Sequence, residues 1–215
     1  MNLLSARLPI LLALAAAGLH AADFSWGLQA GILAPQGDLK NHAILGTGTT
    51  LGGSAVNLHF EWGVSRRDAL RLRFGLMGTG EGRENLLDQD PQLGPITLST
   101  EWTSREAAVD WRRLWSGGDT GWYSTAGLGL ASPRESTTTW GLLYPGGPRV
   151  GSTRSRTQHG RLALCLGLGY QLNRRFHGEV AYHQVSTDKS GSQGFGISAM
   201  SWMTLQLGVD FGRGR

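Results

Sequence analysis

The sequence predicts an all-β protein: an eight-stranded antiparallel up-and-down transmembrane β-barrel, preceded by a cleavable signal peptide. Apolar residues recur at every second position in eight segments, which is the period of a β-strand. The 33 glycines are too many for a helical protein, because glycine weakens a helix interior by about 1 kcal/mol per residue. After the first stretch, no segment approaches the roughly 18 consecutive apolar residues that a membrane helix needs.

The first residues have the layout of a secretory signal peptide. Arg7 supplies the positive charge, Leu8 to Leu19 form an apolar core, and Ala21 and Ala22 are small residues suited to cleavage. Residues 1–21 are therefore predicted to be removed, leaving a single barrel domain over 22–215. The only cysteine is Cys165, so neither a lipid-acceptor cysteine nor an internal disulfide is expected. The formal net charge of +4 is too small to indicate a nucleic-acid partner.

The first four predicted strands each carry apolar residues on one face and polar or small residues on the other. The first, about 24–34, alternates aromatic and aliphatic residues with serine, glycine and glutamine. The second, about 50–62, opposes valine, leucine and aromatic residues to asparagine, histidine and glutamate. The third, which includes 70–76, opposes leucines and a phenylalanine to two arginines and a glycine. The fourth, about 97–113, alternates clearly only in its second half, where an aspartate and an arginine share the polar face.

The last four predicted strands continue the same pattern. The fifth, about 122–131, and the sixth, about 161–172, alternate apolar residues largely with glycines. The seventh, which includes 176–183, has two histidines and a glutamate on its polar face. The eighth, which includes 203–211, ends on a phenylalanine with threonine, glutamine and aspartate on the other face. Together with the first four they predict an eight-stranded sheet.

The connections between these strands alternate in length. After strands one, three, five and seven they take about 15, 17, 27 and 14 residues, and after strands two, four and six only about 6, 7 and 3. Neighbouring strands joined in this way form an antiparallel meander with all its long loops at one end. A short turn at Asn173–Arg175 would place Gly169 opposite Glu179 and Cys165 opposite His183.

Alternation alone leaves open whether the apolar face lies inside, as in a soluble barrel, or outside, as in a membrane barrel. Three features favour the outside. Strands of about 10 to 12 residues can cross a bilayer at a tilt, and glycines facing bulky charged residues fill a narrow interior. Aromatic residues also collect at the short-turn end, as in the girdle of a membrane barrel. The predicted girdle comprises Phe24, Trp26, Trp62, Trp111, Trp115, Trp122, Tyr170, Phe176 and Phe211.

The chain resembles the small outer-membrane β-barrel domain proteins of the OmpA and OmpX/Ail type. The resemblance rests on the signal peptide, the eight amphipathic strands, the "LAPQGDLKNH" first loop, the "STAGLGLA" strand and the aromatic end of the last strand. It implies an outer-membrane location with periplasmic termini and extracellular long loops. It also implies that the barrel-assembly machinery recognises a terminal aromatic residue, although Gly-Arg-Gly-Arg follows Phe211 here.

The polar face of the strands predicts a charged network inside the barrel. Because a buried unpaired charge costs several kcal/mol, we expect these side chains to pair and plug the interior; a narrow channel is the alternative. A short turn between strands two and three would bring Glu61 near Arg71 and His59 near Arg73. The predicted network comprises His59, Glu61, Arg71, Arg73, Asp110, Arg112, Arg161, Glu179, His183 and Asp210.

No catalytic residue, metal site or cofactor is predicted. His177, Glu179 and His183 share a strand face, but residues two apart on a strand lie about 6.8 Å apart, too far to bind one ion without a further strand. His183 and Ser186 resemble the pair of the outer-membrane lipid A deacylases, yet they are separated by two residues, which places them on opposite faces of a regular strand. A lipid A-modifying esterase therefore stays an alternative only.

The third long loop, Ser132 to about His159, is rich in arginine. Its possible contacts with lipopolysaccharide phosphates are Arg134, Arg149, Arg154 and Arg156. Such contacts would be a property of the barrel and would not define its purpose. The function predicted from the sequence is a structural or surface-interaction role through the extracellular loops. A soluble periplasmic ligand-binding barrel is the alternative if the apolar faces point inward.

Overall fold

A computed structural model gives the structure of the chain and describes residues 24–37, 39, 52–80, 82–86, 96–116, 119–142, 147–190 and 197–212. The predicted signal peptide and the end of the Gly-Arg-Gly-Arg tail lie outside these ranges. Within the described ranges, no helix has the length and apolar character that crossing a membrane requires.

The described residues form ten β-strands. Their bounds are β1 Phe24–Gln36, β2 Gly53–Gly63, β3 Asp68–Thr79, β4 Gly82–Leu86, β5 Ile96–Leu114, β6 Gly121–Leu142, β7 Arg149–Thr157, β8 Arg161–Gln171, β9 Phe176–Ser186 and β10 Ala199–Phe211. Eight of them, all but β4 and β7, pair with antiparallel neighbours on both sides. They close a ring in the order β1, β2, β3, β5, β6, β8, β9, β10, and β10 pairs again with β1. The predicted eight-stranded up-and-down barrel is confirmed.

The register inside the hairpins follows the prediction. In the β2–β3 hairpin, Glu61 lies opposite Arg71 and His59 lies opposite Arg73. In the β8–β9 hairpin, Cys165 lies opposite His183, and Gly169 lies opposite Glu179. Because a slip of one residue would exchange the two faces of a strand, this register fixes which side chains point inward.

The apolar face of the ring is on the outside. Outward side chains such as Ile32, 66% exposed, and Leu207, 70% exposed, alternate with inward polar side chains such as Gln29 and Gln206, which are buried. This arrangement is the reverse of a soluble barrel and is typical of barrels whose outer wall meets lipid. The premise of the soluble ligand-binding alternative, an inward apolar face, is wrong over most of the ring.

The third long loop is mostly β-structure, and here the prediction from sequence is wrong. β6 continues past the barrel to Leu142 and pairs there with β7, while β4 pairs with the first residues of β5. The long hairpin of β5 and β6 therefore carries a four-stranded sheet beyond the ring. The β-branched threonines of 137–139 suit a paired strand.

The end of the interior next to the long loops is apolar, which the prediction of a polar interior missed. Trp102, Trp202 and Met77 are buried there, and the Trp202 indole N–H donates to the Met77 sulfur at 2.8 Å. The buried cluster comprises Leu33, Leu39, Ala55, Met77, Trp102, Ala131, Ala163, Val185, Ile197, Met200 and Trp202. Most of these residues face inward from strands on the long-loop side of the charged layer, and Leu39 and Ile197 join them from outside the strands.

Small residues beside large ones allow the interior to fill. A Cβ added at Gly169 would lie 2.6 Å from the Gly178 carbonyl oxygen and would also collide with the Tyr123 ring. We therefore expect Gly169→Ala to lower the free energy of unfolding by about 1–3 kcal/mol through overpacking. Urea titration of the refolded barrel would measure the change.

The matched control lies on the same hairpin. A Cβ added at Gly178, on the outer face, would meet its nearest atom at 3.6 Å, an ordinary contact with Leu207. Gly178→Ala should leave the urea midpoint almost unchanged. Equal effects of the two substitutions would contradict the inward packing of Gly169.

Candidate functional site

Arg71 lies at the centre of the buried charge network. Its Nη2 and Nε donate to Glu61 Oε2 at 3.1 and 3.2 Å across the β2–β3 pair. Its Nη1 reaches Glu179 Oε2, 3.3 Å away on β9. The Tyr123 hydroxyl donates to the same Glu179 oxygen at 3.0 Å. One guanidinium thus joins two carboxylates that stand on non-adjacent strands of the ring.

Two further arginines extend this network along the interior. Arg73 Nε donates to Asp110 Oδ2 at 2.8 Å, and its Nη1 donates to Glu106 Oε2 at 3.3 Å. Arg112 Nη1 donates to Glu61 Oε1 at 2.8 Å, and its guanidinium stacks 4.0 Å from the centre of the Tyr123 ring. Arg112 also bonds the amide oxygen of Gln171. Salt bridges and hydrogen bonds therefore cross the interior in several directions.

A second cluster lies near the short-turn end of the interior and comprises His59, His177 and Asp210. His59 Nε2 is 2.8 Å from Asp210 Oδ1, and His177 Nδ1 is 3.3 Å from Asp210 Oδ2. Gly27 of β1 lies between His59 and Asp210 in the register, and its lack of a side chain lets the two meet. The sequence pattern groups His177 with Glu179 and His183 instead, because these three residues share one face of a single strand.

His183 lies deeper in the interior and contacts several kinds of group, among them the Thr204 hydroxyl, 3.4 Å from its Nε2. Its Nδ1 is 3.4 Å from Glu106 Oε2, and its Nε2 is 3.9 Å from the Cys165 sulfur. Its ring stacks on Trp202. Ser186 is exposed on the other face of β9, where its hydroxyl donates to the Leu162 carbonyl at 3.3 Å. His183 and Ser186 therefore do not form a nucleophile–base pair.

The remaining predicted network residue, Arg161, lies apart from the others. Its side chain is 26% exposed and pairs with Asp188, which follows β9. Three buried groups that the prediction did not include, Glu106, Tyr123 and Gln29, do contact the charged layer or the histidine cluster. Glu106 shares the inward face of β5 with the predicted Asp110 and Arg112, so strict alternation along β5 pointed to it. Gln29 on β1 and Tyr123 on β6 lie on strands that carry no predicted member of the network.

The predicted girdle residues all lie on the outer face towards the short-turn end. Trp26 stacks on Phe211 with ring centres 4.6 Å apart, and Trp122 packs edge-on against Tyr170 at 5.3 Å. The indole N–H groups of two of the tryptophans donate hydrogen bonds to polar side chains. The Trp111 indole donates to Asp68 at 3.3 Å, and the Trp115 indole donates to Ser124 at the same distance. Phe24, Trp62 and Phe176 complete the exposed or half-exposed set.

Three of the four arginines of the predicted third loop, Arg134, Arg154 and Arg156, divide between the two faces of the β6–β7 extension. Arg134 shares the outward face and donates to Ser155 at 3.1 Å. Arg156 lies opposite Glu135 on the other face, 3.9 Å from its carboxylate, and Arg154 shares that face. Arg149 occupies the first position of β7. Arg105 on β5 lies opposite Ser132 and next to Arg134 on the outward face, a position that the sequence did not single out.

No protein-family model matches the sequence, and no curated protein matches it. Solved structures do resemble it. Ail, the attachment invasion locus protein of Yersinia pestis, is 12% identical over 88% of this chain and 97% of its own, with a TM-score of 0.45. The outer membrane protein OprG of Pseudomonas aeruginosa is 12% identical over 89% and 97%, with a TM-score of 0.44. CarO of Acinetobacter baumannii is 11% identical over 90% and 99%, also at 0.44. The likeness to these three proteins is one of fold alone.

Proposed function

We propose that this protein is an integral outer-membrane β-barrel with a closed interior and a non-enzymatic, surface-interaction role. The observation that carries the proposal is that the apolar face of the ring points outward and its polar face points inward. Leucine, valine and isoleucine cover its outside, while arginine, glutamate and histidine fill its inside. An exposed apolar belt of this extent would make a water-soluble protein aggregate. In a bilayer, by contrast, the belt contacts lipid, and a closed ring pairs the backbone N–H and C=O groups of every strand.

The expected orientation follows from the two ends of the barrel. In bacterial barrels with an even number of strands, the short turns lie in the periplasm and the longer loops lie outside. Here the short turns and the aromatic band share one end, and the four-stranded extension stands at the other. We therefore place the termini in the periplasm and the extension outside the cell, with folding assisted by the barrel-assembly machinery.

Fractionation and electrophoresis test the location. The folded barrel should remain with the outer membrane and migrate faster unboiled than boiled. An epitope inserted between β6 and β7 should be labelled on intact cells, whereas one inserted between β8 and β9 should be labelled only after permeabilisation. A protein that stays soluble without detergent, or the reverse labelling pattern, would contradict the proposal.

The interior supports a closed barrel over the narrow channel. Arg71 links β3 to β9, and the Asn57 amide donates to Gln206 at 2.8 Å between β2 and β10, so side chains from separated strands meet across the space. An eight-stranded barrel is just wide enough for its own side chains. Planar-bilayer recordings should show no steady conductance, and a reproducible open level would favour the channel instead.

The extension supports a role in surface contacts. β4 and β7 form the two outer edges of the four-stranded sheet, with no further strand beside them among the described residues. Exposed strand edges accept an added strand from a partner. Ser136 with Ser155 and Thr138 with Thr153 form hydrogen-bonded pairs at 3.2 and 3.0 Å that stiffen this sheet. Deletion of 135–156 should abolish surface binding of a partner while leaving the barrel folded.

The absence of enzymatic activity is part of the proposal. His183 is buried against Trp202, and Ser186 is exposed on the opposite strand face. This separation speaks against a lipid A-modifying esterase. Mass spectra of lipid A from cells with and without the protein should be the same, and a loss of acyl chains in its presence would overturn this part of the proposal.

Lipopolysaccharide is the proposed lipid partner of the outer rim, through Arg105 and Arg134. Both arginines lie on the outward face where the apolar belt ends. A guanidinium group can bind two oxygens of one phosphate at the same time. We expect the double variant Arg105→Gln/Arg134→Gln to lose most of the thermal stabilisation that lipopolysaccharide gives to the refolded barrel. Arg154→Gln, on the opposite face, serves as the control. An equal loss in the control would contradict the assignment.

A further inference from the structure

The cluster of His59, His177 and Asp210 has the composition of a metal site. One imidazole nitrogen from each histidine and one carboxylate oxygen all lie within 4.8 Å of one another. All three side chains are buried. They reach this point from β2, β9 and β10, so the barrel register holds them together. Two imidazoles and a carboxylate form a ligand set that suits divalent transition metals.

The charge balance of the interior leaves a place for a cation. Among the residues that the structure describes, the buried layer holds three arginines, Arg71, Arg73 and Arg112, and five carboxylates, Glu61, Glu106, Asp110, Glu179 and Asp210. With neutral histidines and ionised carboxylates, the layer therefore carries two uncompensated negative charges. Each of the other four carboxylates pairs with an arginine, whereas Asp210 pairs only with the two histidines among the described residues. A divalent cation bound at Asp210 would balance these two negative charges, at the one carboxylate of the layer that has no arginine partner among the described residues.

The hydrogen bonding of the cluster is also incomplete. His177 Nδ1 and Asp210 Oδ2 are 3.3 Å apart, yet neither atom has a hydrogen-bond partner among the described residues. Gln29 lies 2.9 Å from the other nitrogen of His177, and its own amide oxygen is unpartnered. A buried polar atom without a partner costs about 1–3 kcal/mol. Two of these unpartnered buried atoms, His177 Nδ1 and Asp210 Oδ2, therefore face each other within the cluster.

We propose that His59, His177 and Asp210 bind a divalent transition-metal ion, with zinc as the ion to test. The ligands are His59 Nε2, His177 Nδ1 and an Asp210 oxygen. Binding at about 2.0–2.2 Å from each atom requires the widest pair to close by roughly 1 Å, within the reach of side-chain rotation. By turning its amide, Gln29 accepts a hydrogen bond from His177 Nε2–H, as the outer partners of metal-bound histidines do.

Two glycines make room for this arrangement. A Cβ at Gly27 would lie 2.7 Å from both Asp210 Oδ1 and His59 Cε1. A Cβ at Gly208 would collide with the His177 ring and lie 2.8 Å from Gln29. The site lies near the turn at 172–175, since Asp210 N–H donates to the Arg175 carbonyl at 2.7 Å. The site therefore lies at the short-turn end of the interior.

Protonated histidines are the competing way to neutralise Asp210, and metal titration separates the two. Untagged protein, refolded in detergent and treated with EDTA, should bind one zinc ion per chain after dialysis, measured by elemental analysis. Cobalt substitution should give the visible absorption of a low-coordinate nitrogen–oxygen site. Zinc should also raise the unfolding temperature of the barrel.

Variants then locate the binding. His59→Asn and His177→Asn should each weaken zinc binding at least tenfold, while His183→Asn, a buried histidine of the same interior outside the cluster, should retain it. Gln29→Leu should weaken binding about tenfold without removing a ligand. Zinc bound at less than a fifth of an equivalent by folded wild-type protein would overturn the proposal. So would unchanged binding in the folded double variant His59→Asn/His177→Asn.

Discussion

Replacing Arg71 by methionine should lower the free energy of unfolding by about 3–5 kcal/mol, because it leaves buried carboxylates without their partner. The guanidinium is buried and bonds both Glu61 and Glu179 at 3.1–3.3 Å. Methionine keeps much of the volume of the side chain, so the loss reports on charge and not on a cavity. Urea titration of the refolded barrel, followed by the mobility of the unboiled protein, gives the free energy.

Two controls separate the network from surface charge. Arg113 is 60% exposed and lies 3.7 Å from Asp68, so Arg113→Met should change the free energy of unfolding by only about 0.5 kcal/mol. The triple variant Arg71→Met/Glu61→Gln/Glu179→Gln removes the stranded charges and should recover part of the stability lost in Arg71→Met. If Arg71→Met behaves like Arg113→Met, the network does not hold the barrel together.

The fold was predictable because barrel strands repeat one simple rule. Every second residue faces lipid, so the period of two is visible even where single residues are ambiguous, as in Leu162 to Leu172. Short turns then fix the register, which is why Glu61 and Arg71, adjacent through one hairpin, could be paired in advance.

What the sequence could not indicate depends on contacts across the ring. Arg71 meets Glu179 over 108 residues of chain, and His59 meets Asp210 over 151. Such pairs depend on the register between β1 and β10, the two strands that close the ring. No hairpin turn joins these strands, so the sequence does not indicate that register. The extension of β6 was missed for a different reason. Pro133 and the run of threonines resemble a loop in composition, yet the partner strand β5 supplies the hydrogen bonds that make it a strand.

Placing an arginine in the middle of the outer belt should distinguish a lipid-facing wall from a water-facing one. Leu128 is 58% exposed on β6 and pairs with Val109 and Leu164, both of which are also outward and apolar. In a bilayer, Leu128→Arg should lower the free energy of unfolding by about 2–4 kcal/mol, since a charge near the midplane is poorly solvated. In water, the same change at an exposed site would stay within about 0.5 kcal/mol.

Depth provides the internal control for this prediction. Leu172 is equally exposed, at 59%, but it lies beside the aromatic band, directly after the last residue of β8. Leu172→Arg should lower the free energy of unfolding by only about 0–1 kcal/mol, because its charge reaches the interface. Leu128→Ala corrects for the lost side chain without adding charge. The measurement is urea titration in lipid vesicles for all three variants, and the lipid-facing assignment requires the arginine penalty to fall from Leu128 to Leu172. An equal loss of unfolding free energy for arginine at both positions would instead indicate a packing defect, and it would contradict the assignment of these residues to a lipid-facing belt.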